Sequence, residues 1–525
     1  MNNETFYKRT PIKCMMRFTV LQLFVFSFAN LLVAQTSLEE LNLEKGIYNV
    51  GFQHYSTSDS TRIYQVANNF DNQFINRPIP ISIWYPTSVK SNGSEQLMIL
   101  DYLEVLKEEE ESKHLPNELL LDWFPGLGDT PQNRAHLSEK VNAWSNTEFL
   151  EGKFPVVVYA PSYQASSIEN FALFEYLASN GYVVISSPSR GTDTRWLEGG
   201  TTKDMETQSR DVEYLLKEIH KYENIDYDRI ALMGFSFGGL ANVITVMKNR
   251  NISAVVSLDG TERYNYPVLE KSPYFNLDRF NVPYIHFAQK NIPEEVLTSD
   301  DIPAELNYKF QFYDALKYSN AYSYKFHDLT HSNFGAIGVL FSSRDKRQDK
   351  SDEKIMDSYK LLSQHTLHFL NATLKNDMQA RRFIENSPDK NNISENLVTK
   401  KMKKSLPKEF GSKDFQDLAL SQGFRDLIPL YKRTLAKHPK LKLQEGMLNN
   451  LGLRLSFNAG KLEQGINVFL LAVHIYPNSA NLYDSLALAY LYNNDIKNAI
   501  ANYKRSLELN PKNQNAINRL KKLQE

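Results

Sequence analysis

Short apolar runs alternate with amphipathic segments through the middle of the chain. The runs are Ile79-Pro80-Ile81-Ser82-Ile83-Trp84-Tyr85-Pro86 and the stretches 155–160, 182–186, 230–233, 254–258, 282–288 and 322–327. Between and after them, 168–180, 204–222, 239–249 and 353–374 carry apolar residues at helical spacing. Apolar runs of about five residues separated by helices predict a mostly parallel, doubly wound α/β sheet covered on both faces. In such sheets the chemistry gathers at the carboxyl ends of the strands. Opening strands are expected over 46–86, ahead of this series. The stretch 97–143 interrupts the pattern with a charged helical piece (103–114), a loop holding Pro125, Gly126, Gly128 and Pro131, and a further helix around 134–143. It is expected as an inserted segment at a pocket mouth, with Tyr102, Trp123 and Phe124 either lining that mouth or packing on the body.

After residue 375 the pattern changes. The polar stretch 376–415, with Pro388, the Asn391-Asn392 pair and the basic run 400–404, is expected to be a linker. Within it, 378–385 forms a helix able to stay packed on the preceding body. From 416 to 525 only helical periodicity remains, and it repeats. Tyr483, Leu486, Ala487, Tyr490, Ala499, Tyr503, Ser506 and Pro511 are echoed by Leu451, Gly452, Leu455, Gly465, Phe469, Ala472 and Pro477, with one extra residue in the upstream turn. The two prolines are 34 residues apart, and the pattern resembles the tetratricopeptide repeat. Residues 427–439 resemble the second helix of a more degraded unit. The resemblance implies an all-α domain with a concave surface for a peptide or protein partner.

The length of 525 residues fits two or three domains. Sixty basic against 61 acidic residues leave the chain near neutral, which gives no electrostatic ground for nucleic acid or an anionic membrane as partner. The first 35 residues stand apart. Lys8, Arg9, Lys13 and Arg17 precede the apolar run 18–32, and Val33-Ala34-Gln35 opens into a polar segment. That layout predicts a cleaved secretory signal over 1–35 and an exported protein, with an uncleaved anchor as the alternative. Cys14, the one cysteine, lies before the apolar run, where it cannot serve as a lipoprotein cysteine. A form cut near Ala34 has no thiol chemistry and needs no disulfide.

The candidate chemistry starts at Gly234-Phe235-Ser236-Phe237-Gly238, between an apolar run and a helical segment. Glycines two residues either side of a serine suit a sharp strand-to-helix turn that projects a nucleophile. A serine hydroxyl needs a base to take its proton, and the base needs an acid to orient it. Asp259 ends the next apolar run, 23 residues after Ser236. The rival acids Glu294, Glu295, Asp300 and Asp301 follow the run after that, and Asp301 is the reserve. For the base, His331 falls in a loop beyond the last strand, whereas His327 is still in the strand. The oxyanion calls for two backbone N–H groups. One is expected from Phe237. The other comes from Ser162 or Tyr163, since Pro161 has none.

These pieces, together with Ile83-Trp84-Tyr85-Pro86, Phe154-Pro155-Val156-Val157-Val158 and His331-Ser332-Asn333-Phe334, resemble the α/β-hydrolases, in the branch of the platelet-activating-factor acetylhydrolases and dienelactone-hydrolase-like esterases. The resemblance covers residues from about 46 to 375 and places the catalytic domain at 36–375. It implies a triad of Ser236, Asp259 and His331, with Tyr163 as the second oxyanion donor. The chain departs from the family in the donor loop, where Pro161-Ser162 replaces the usual His-Gly pair. The expectation is an exported serine hydrolase that cleaves a small-molecule or lipid-like carboxylic ester through an acyl-enzyme, with no cofactor and no metal. The alternatives are a serine peptidase of the prolyl-oligopeptidase type and an inactive hydrolase-fold binding protein that uses its repeats.

Overall fold

The computed structural model describes residues 36–524 except 67–72, 89–92, 125, 300–301 and 342–346. The expected signal segment with Cys14, and the reserve acid Asp301, therefore lie outside the described residues. The chain divides into two compact units, one ending at Ser405 and the other beginning at Leu406.

The first unit is built on eleven strands: β1 (Asn49–Gln65), β2 (Phe74–Thr87), β3 (Gln96–Met98), β4 (Lys140–Trp144), β5 (Phe154–Ala160), β6 (Val183–Ser186), β7 (Ile225–Phe235), β8 (Ala254–Leu258), β9 (Tyr284–Ala288), β10 (Ala321–Phe326) and β11 (Val398–Lys403). Their order is β3-β4-β1-β2-β6-β5-β7-β8-β9-β10-β11. From β6 to β10 every pairing is parallel. β2 joins this block antiparallel at one end and β11 antiparallel at the other.

Every residue of β5 is buried, and alternation sends its side chains into two cores. Val157 and Tyr159 join one with helices Phe171–Ser179 and Asp352–Leu374. Val156 and Val158 join the other with helices Thr202–Glu218 and Phe237–Lys248. Burial on both faces explains why these strands read as continuous apolar runs.

Two segments differ from expectation. The helix expected around 134–143 is helical only over Pro131–His136, and Lys140–Trp144 is β4. Its Val141 and Ala143 are buried while Lys140 and Asn142 face out, a period of two that a helical reading misses. The expected linker contributes helix Met378–Glu385 and then the edge strand β11 to the first unit. Its lysines suit an edge, where charge discourages pairing with another chain.

The 97–143 insertion packs on the body more than it lines an opening. Its helix runs Ile99–Glu109, ahead of the expected 103–114. Tyr102 is fully buried, accepting from Trp84 Nε1 (2.8 Å) and donating to Glu175 Oε1 (2.7 Å). Phe124 is buried and Trp123 exposed.

The second unit is helical: Ser412–Ser421, Leu427–Lys437, Glu445–Leu453, Leu462–Ile475, Ala480–Tyr492, Ile496–Leu509 and Gln514–Gln524. Ala487, Ala499 and Tyr503 are fully buried where consecutive helices meet. A π-helical turn, Arg454–Asn458, continues the third helix and houses the extra residue of the upstream repeat. Among the described residues no helix is long and apolar enough to cross a membrane.

Glu175 links the insertion to the sheet, and its burial gives a pH signature. Burial pushes its carboxyl from 4.5 up to about 7, against the pull of the Tyr102 and Asn142 hydrogen bonds. The folded protein thus keeps a proton that the unfolded chain releases. The stabilisation is full below the ordinary carboxylate range and is lost as pH rises to about 7. Glu175→Gln should remove up to ~1.4 kcal/mol per pH unit from the slope of stability across that window. Urea unfolding at several pH values checks this; equal slopes for wild type and variant would contradict it.

Candidate active site

Ser236 sits between β7 and helix Phe237–Lys248 with φ 51° and ψ −118°, a conformation that costs a residue with a side chain about 1–3 kcal/mol. The surroundings over-determine it. Ser236 N–H donates to Leu258 O (3.0 Å), and Ser236 O accepts from Gly239 N–H (3.0 Å) and Thr261 N–H (2.9 Å). The flanking glycines permit the turn through close approach. A Cβ on Gly238 would lie 1.9 Å from Ala160 O, and one on Gly234 would lie 2.5 Å from Gly238 C.

Asp259 follows β8, in register beside the end of β7. It is fully buried at φ 41°. Its Oδ2 lies 2.6 Å from His331 Nδ1. Its Oδ1 accepts from Tyr264 OH (2.9 Å) and Gln289 N–H (3.1 Å). Burial alone would raise this carboxyl. The hydrogen bond and charge of His331, with Arg263 beyond, more than offset that and hold it below the usual carboxylate range.

His331 begins a 3₁₀ turn, His331–Phe334, after β10. Its Nε2 lies 2.9 Å from Ser236 Oγ, and its ring rests against Phe235. Asn333 fixes the loop: its Oδ1 accepts from Thr330 N–H (3.1 Å), Thr330 Oγ1 (2.9 Å) and Gln348 Nε2 (2.7 Å). His327 instead meets Thr399 Oγ1 at 3.1 Å. Glu294 and Glu295 are exposed on helix Glu294–Ser299.

The two candidate donor N–H groups of the loop after β5 differ in their engagement. Ser162 N–H is taken by Glu169 Oε1 (2.7 Å), while Tyr163 N–H has no hydrogen-bond acceptor among the described residues. Phe237 is the first residue of its helix, so its N–H has no intrahelical acceptor and stands at the positive end of the dipole. The Tyr163 and Phe237 rings meet edge to face at 5.9 Å.

Glu169 is the residue that sequence reasoning missed. It also accepts from Ser162 Oγ (2.7 Å) and Tyr159 OH (2.8 Å). Burial pushes its carboxyl up to about 7, against those bonds and the charge of His331. Its carbonyl accepts from Ile337 N–H (3.1 Å), and the neighbouring Asn170 bonds Phe334 O and Ala336 N–H, both at 3.0 Å. The pair therefore ties the donor loop to the histidine loop. The available signal was a carboxylate at the start of an otherwise apolar helix, Ile168-Glu169-Asn170-Phe171-Ala172-Leu173-Phe174. Among the described residues no cluster of three or more His, Cys, Asp or Glu side chains is arranged to hold a metal.

Residues 169–275 match the prolyl oligopeptidase family and residues 480–513 the tetratricopeptide repeat. No curated protein matches the sequence. Among solved structures the chain is similar to a ferulic acid esterase from Streptomyces cinnamoneus, at 16% identity over 64% of this chain and 93% of that one, with a TM-score of 0.45.

Because Glu169 engages Ser162 N–H, its loss should misaim the adjacent Tyr163 N–H. Glu169→Ala should lower kcat roughly 10–100-fold while leaving KM within about twofold, and Glu169→Gln, which keeps an acceptor oxygen, should restore most of the rate. Steady-state kinetics on the three proteins decide it. An equal loss in both variants, or a change confined to KM, would contradict that role.

Proposed function

We propose that this α/β-hydrolase, which carries C-terminal tetratricopeptide repeats, cleaves a carboxylic ester through an acyl-enzyme on Ser236. The observation that carries the reading is the unbroken hydrogen-bond chain from Asp259 through His331 to Ser236, at 2.6 and 2.9 Å. His331 Nε2 takes the hydroxyl proton as Ser236 Oγ attacks the ester carbonyl. Asp259 holds the imidazole in the tautomer with hydrogen on Nδ1 and stabilises the imidazolium that forms. The N–H groups of Phe237 and Tyr163 receive the oxyanion; one such donor is worth about 2.7–4 kcal/mol of barrier. The imidazolium then protonates the leaving alcohol. Water, activated by the same histidine, releases the acid and frees the serine.

A second reading rests on the match of residues 169–275 to the prolyl oligopeptidase family: the same triad would cleave a peptide bond. The acid directly after the next strand, 23 residues beyond the serine, matches the acetylhydrolase resemblance, and on that ground favours the ester. Export through the N-terminal segment and capture of a protein or peptide partner by the helical repeats complete the proposal. The partner surface is suggested by the repeat match at 480–513.

A chain-length panel of nitrophenyl esters run beside aminoacyl-anilides tests both readings. Ester turnover should fall by roughly 10⁴-fold or more in Ser236→Ala. Cleavage of anilides without esters would move the assignment to a peptidase, and full ester turnover in Ser236→Ala would remove the mechanism.

A further inference from the structure

A cavity of about 380 Å³ lies beside β10 and β11, within the size range of small-molecule sites. Its walls carry Arg263, Lys325 and Lys401, together with Phe310 and Tyr313. Arg263 and Lys325 have only neutral partners. Arg263 is buried and donates through Nη2 to Leu306 O (2.8 Å) and Asn307 O (3.2 Å). Its other guanidinium N–H groups have no acceptor among the described residues. Lys325 Nζ donates to Asn291 Oδ1 (2.5 Å) and Asn307 O (2.6 Å), which leaves one ammonium proton uncommitted. Asp314 is the one acidic residue in the described lining, and it is exposed.

We propose that this cavity binds a small aromatic anion, its carboxylate or phosphate seated among Arg263, Lys325 and Lys401 and its ring against Phe310 and Tyr313. The near-neutral net charge of the chain makes a local excess of cations a property of the site and not of the whole surface. A buried guanidinium is ordinarily paired with a carboxylate, because neutral carbonyls leave its charge uncompensated. Neither buried acid close to Arg263 in sequence is hydrogen-bonded to it: Asp259 has its oxygens engaged by His331, Tyr264 and Gln289, and Glu262 accepts from Ser257 Oγ and from Tyr284 OH (2.6 Å). Electrostatics agree with the geometry. Burial first, then repulsion from Arg263 and Lys401, lowers the Lys325 ammonium to about 8, against the attraction of Asp259. An oxyanion would relieve that repulsion and supply the acceptors that Arg263 and Lys325 lack. Phe310 and Tyr313 are buried aromatics on the same cavity, and they give a flat apolar body somewhere to lie. No triad residue lines the cavity and none of the three cations hydrogen-bonds one; Arg263, in the 3₁₀ turn Thr261–Arg263, acts on Asp259 through its charge alone.

Calorimetric titration of the full-length Ser236→Ala protein with benzoate and with phenyl phosphate tests the proposal without turnover. Saturable binding of both is expected, and none of benzyl alcohol or of chloride at matched ionic strength. Added separately, Lys401→Glu on the exposed edge and Lys325→Met should each weaken binding about tenfold or more. Circular dichroism establishes that the variants fold. Absence of saturable binding to the parent protein, or binding unaltered by Lys401→Glu, would overturn the site. The latter result would place the ligand elsewhere, including beside the altered serine.

Discussion

The backbone of Gly238 presses against the carbonyl of Ala160 so closely that no side chain fits between them. This contact sets the first turn of the helix Phe237–Lys248 against the end of β5, the parallel neighbour of β7, and the chain passes from β7 to that helix through the single residue Ser236. The serine therefore rides a strained backbone whose conformation is held by Leu258, Gly239 and Thr261. The same approach sets the loop after β5 beside the first turn of the following helix. Ser236 and the proposed oxyanion donors are thus positioned by one packing constraint, rooted in strands buried on both faces. A larger residue at 238 would have to push the start of the helix away from the end of β5.

Around this turn, buried carboxylates are treated in opposite ways. Asp259 has a cation-forming partner at 2.6 Å and two further donors, and it remains ionised despite complete burial. Glu169 and Glu175 accept hydrogen bonds from hydroxyl and amide donors only, the His331 charge is a lesser pull on Glu169, and burial raises both to about 7. The difference is the one expected when a nearby opposite charge competes with desolvation. It divides the labour between the acids. Asp259 supplies negative charge to the imidazole, while Glu169 and Glu175 act as hydrogen-bonding struts that carry little charge below neutral pH.

The doubly wound series and the serine turn were legible because doubly buried strands read as apolar runs and a Gly-x-Ser-x-Gly turn tolerates little substitution. Asp259 and His331 could be nominated from strand ends alone, since a parallel sheet delivers those ends to one edge. The structure brings both to Ser236 and sets Glu294, Glu295 and His327 apart. Lys140–Trp144 was misread because a strand of five residues with lysine, asparagine and tryptophan has weak apolar contrast. The lysine-rich β11 had the composition of a linker, and only its pairing with β10 makes it a strand. Glu169 was hidden for another reason: its partners Tyr159 and Ser162 are near in sequence, but their convergence depends on how the loop after β5 folds back. Of the two roles weighed for the aromatics of 97–143, packing on the body is the one taken by Tyr102 and Phe124, both buried.

The central claim is that Ser236 is the activated nucleophile. Intact-mass measurement of the folded protein after exposure to a fluorophosphonate, followed by peptide mapping, tests it directly. A single adduct on Ser236 is expected, and it should be absent in His331→Ala. No adduct on the folded wild-type protein, or an adduct on another residue, would contradict it.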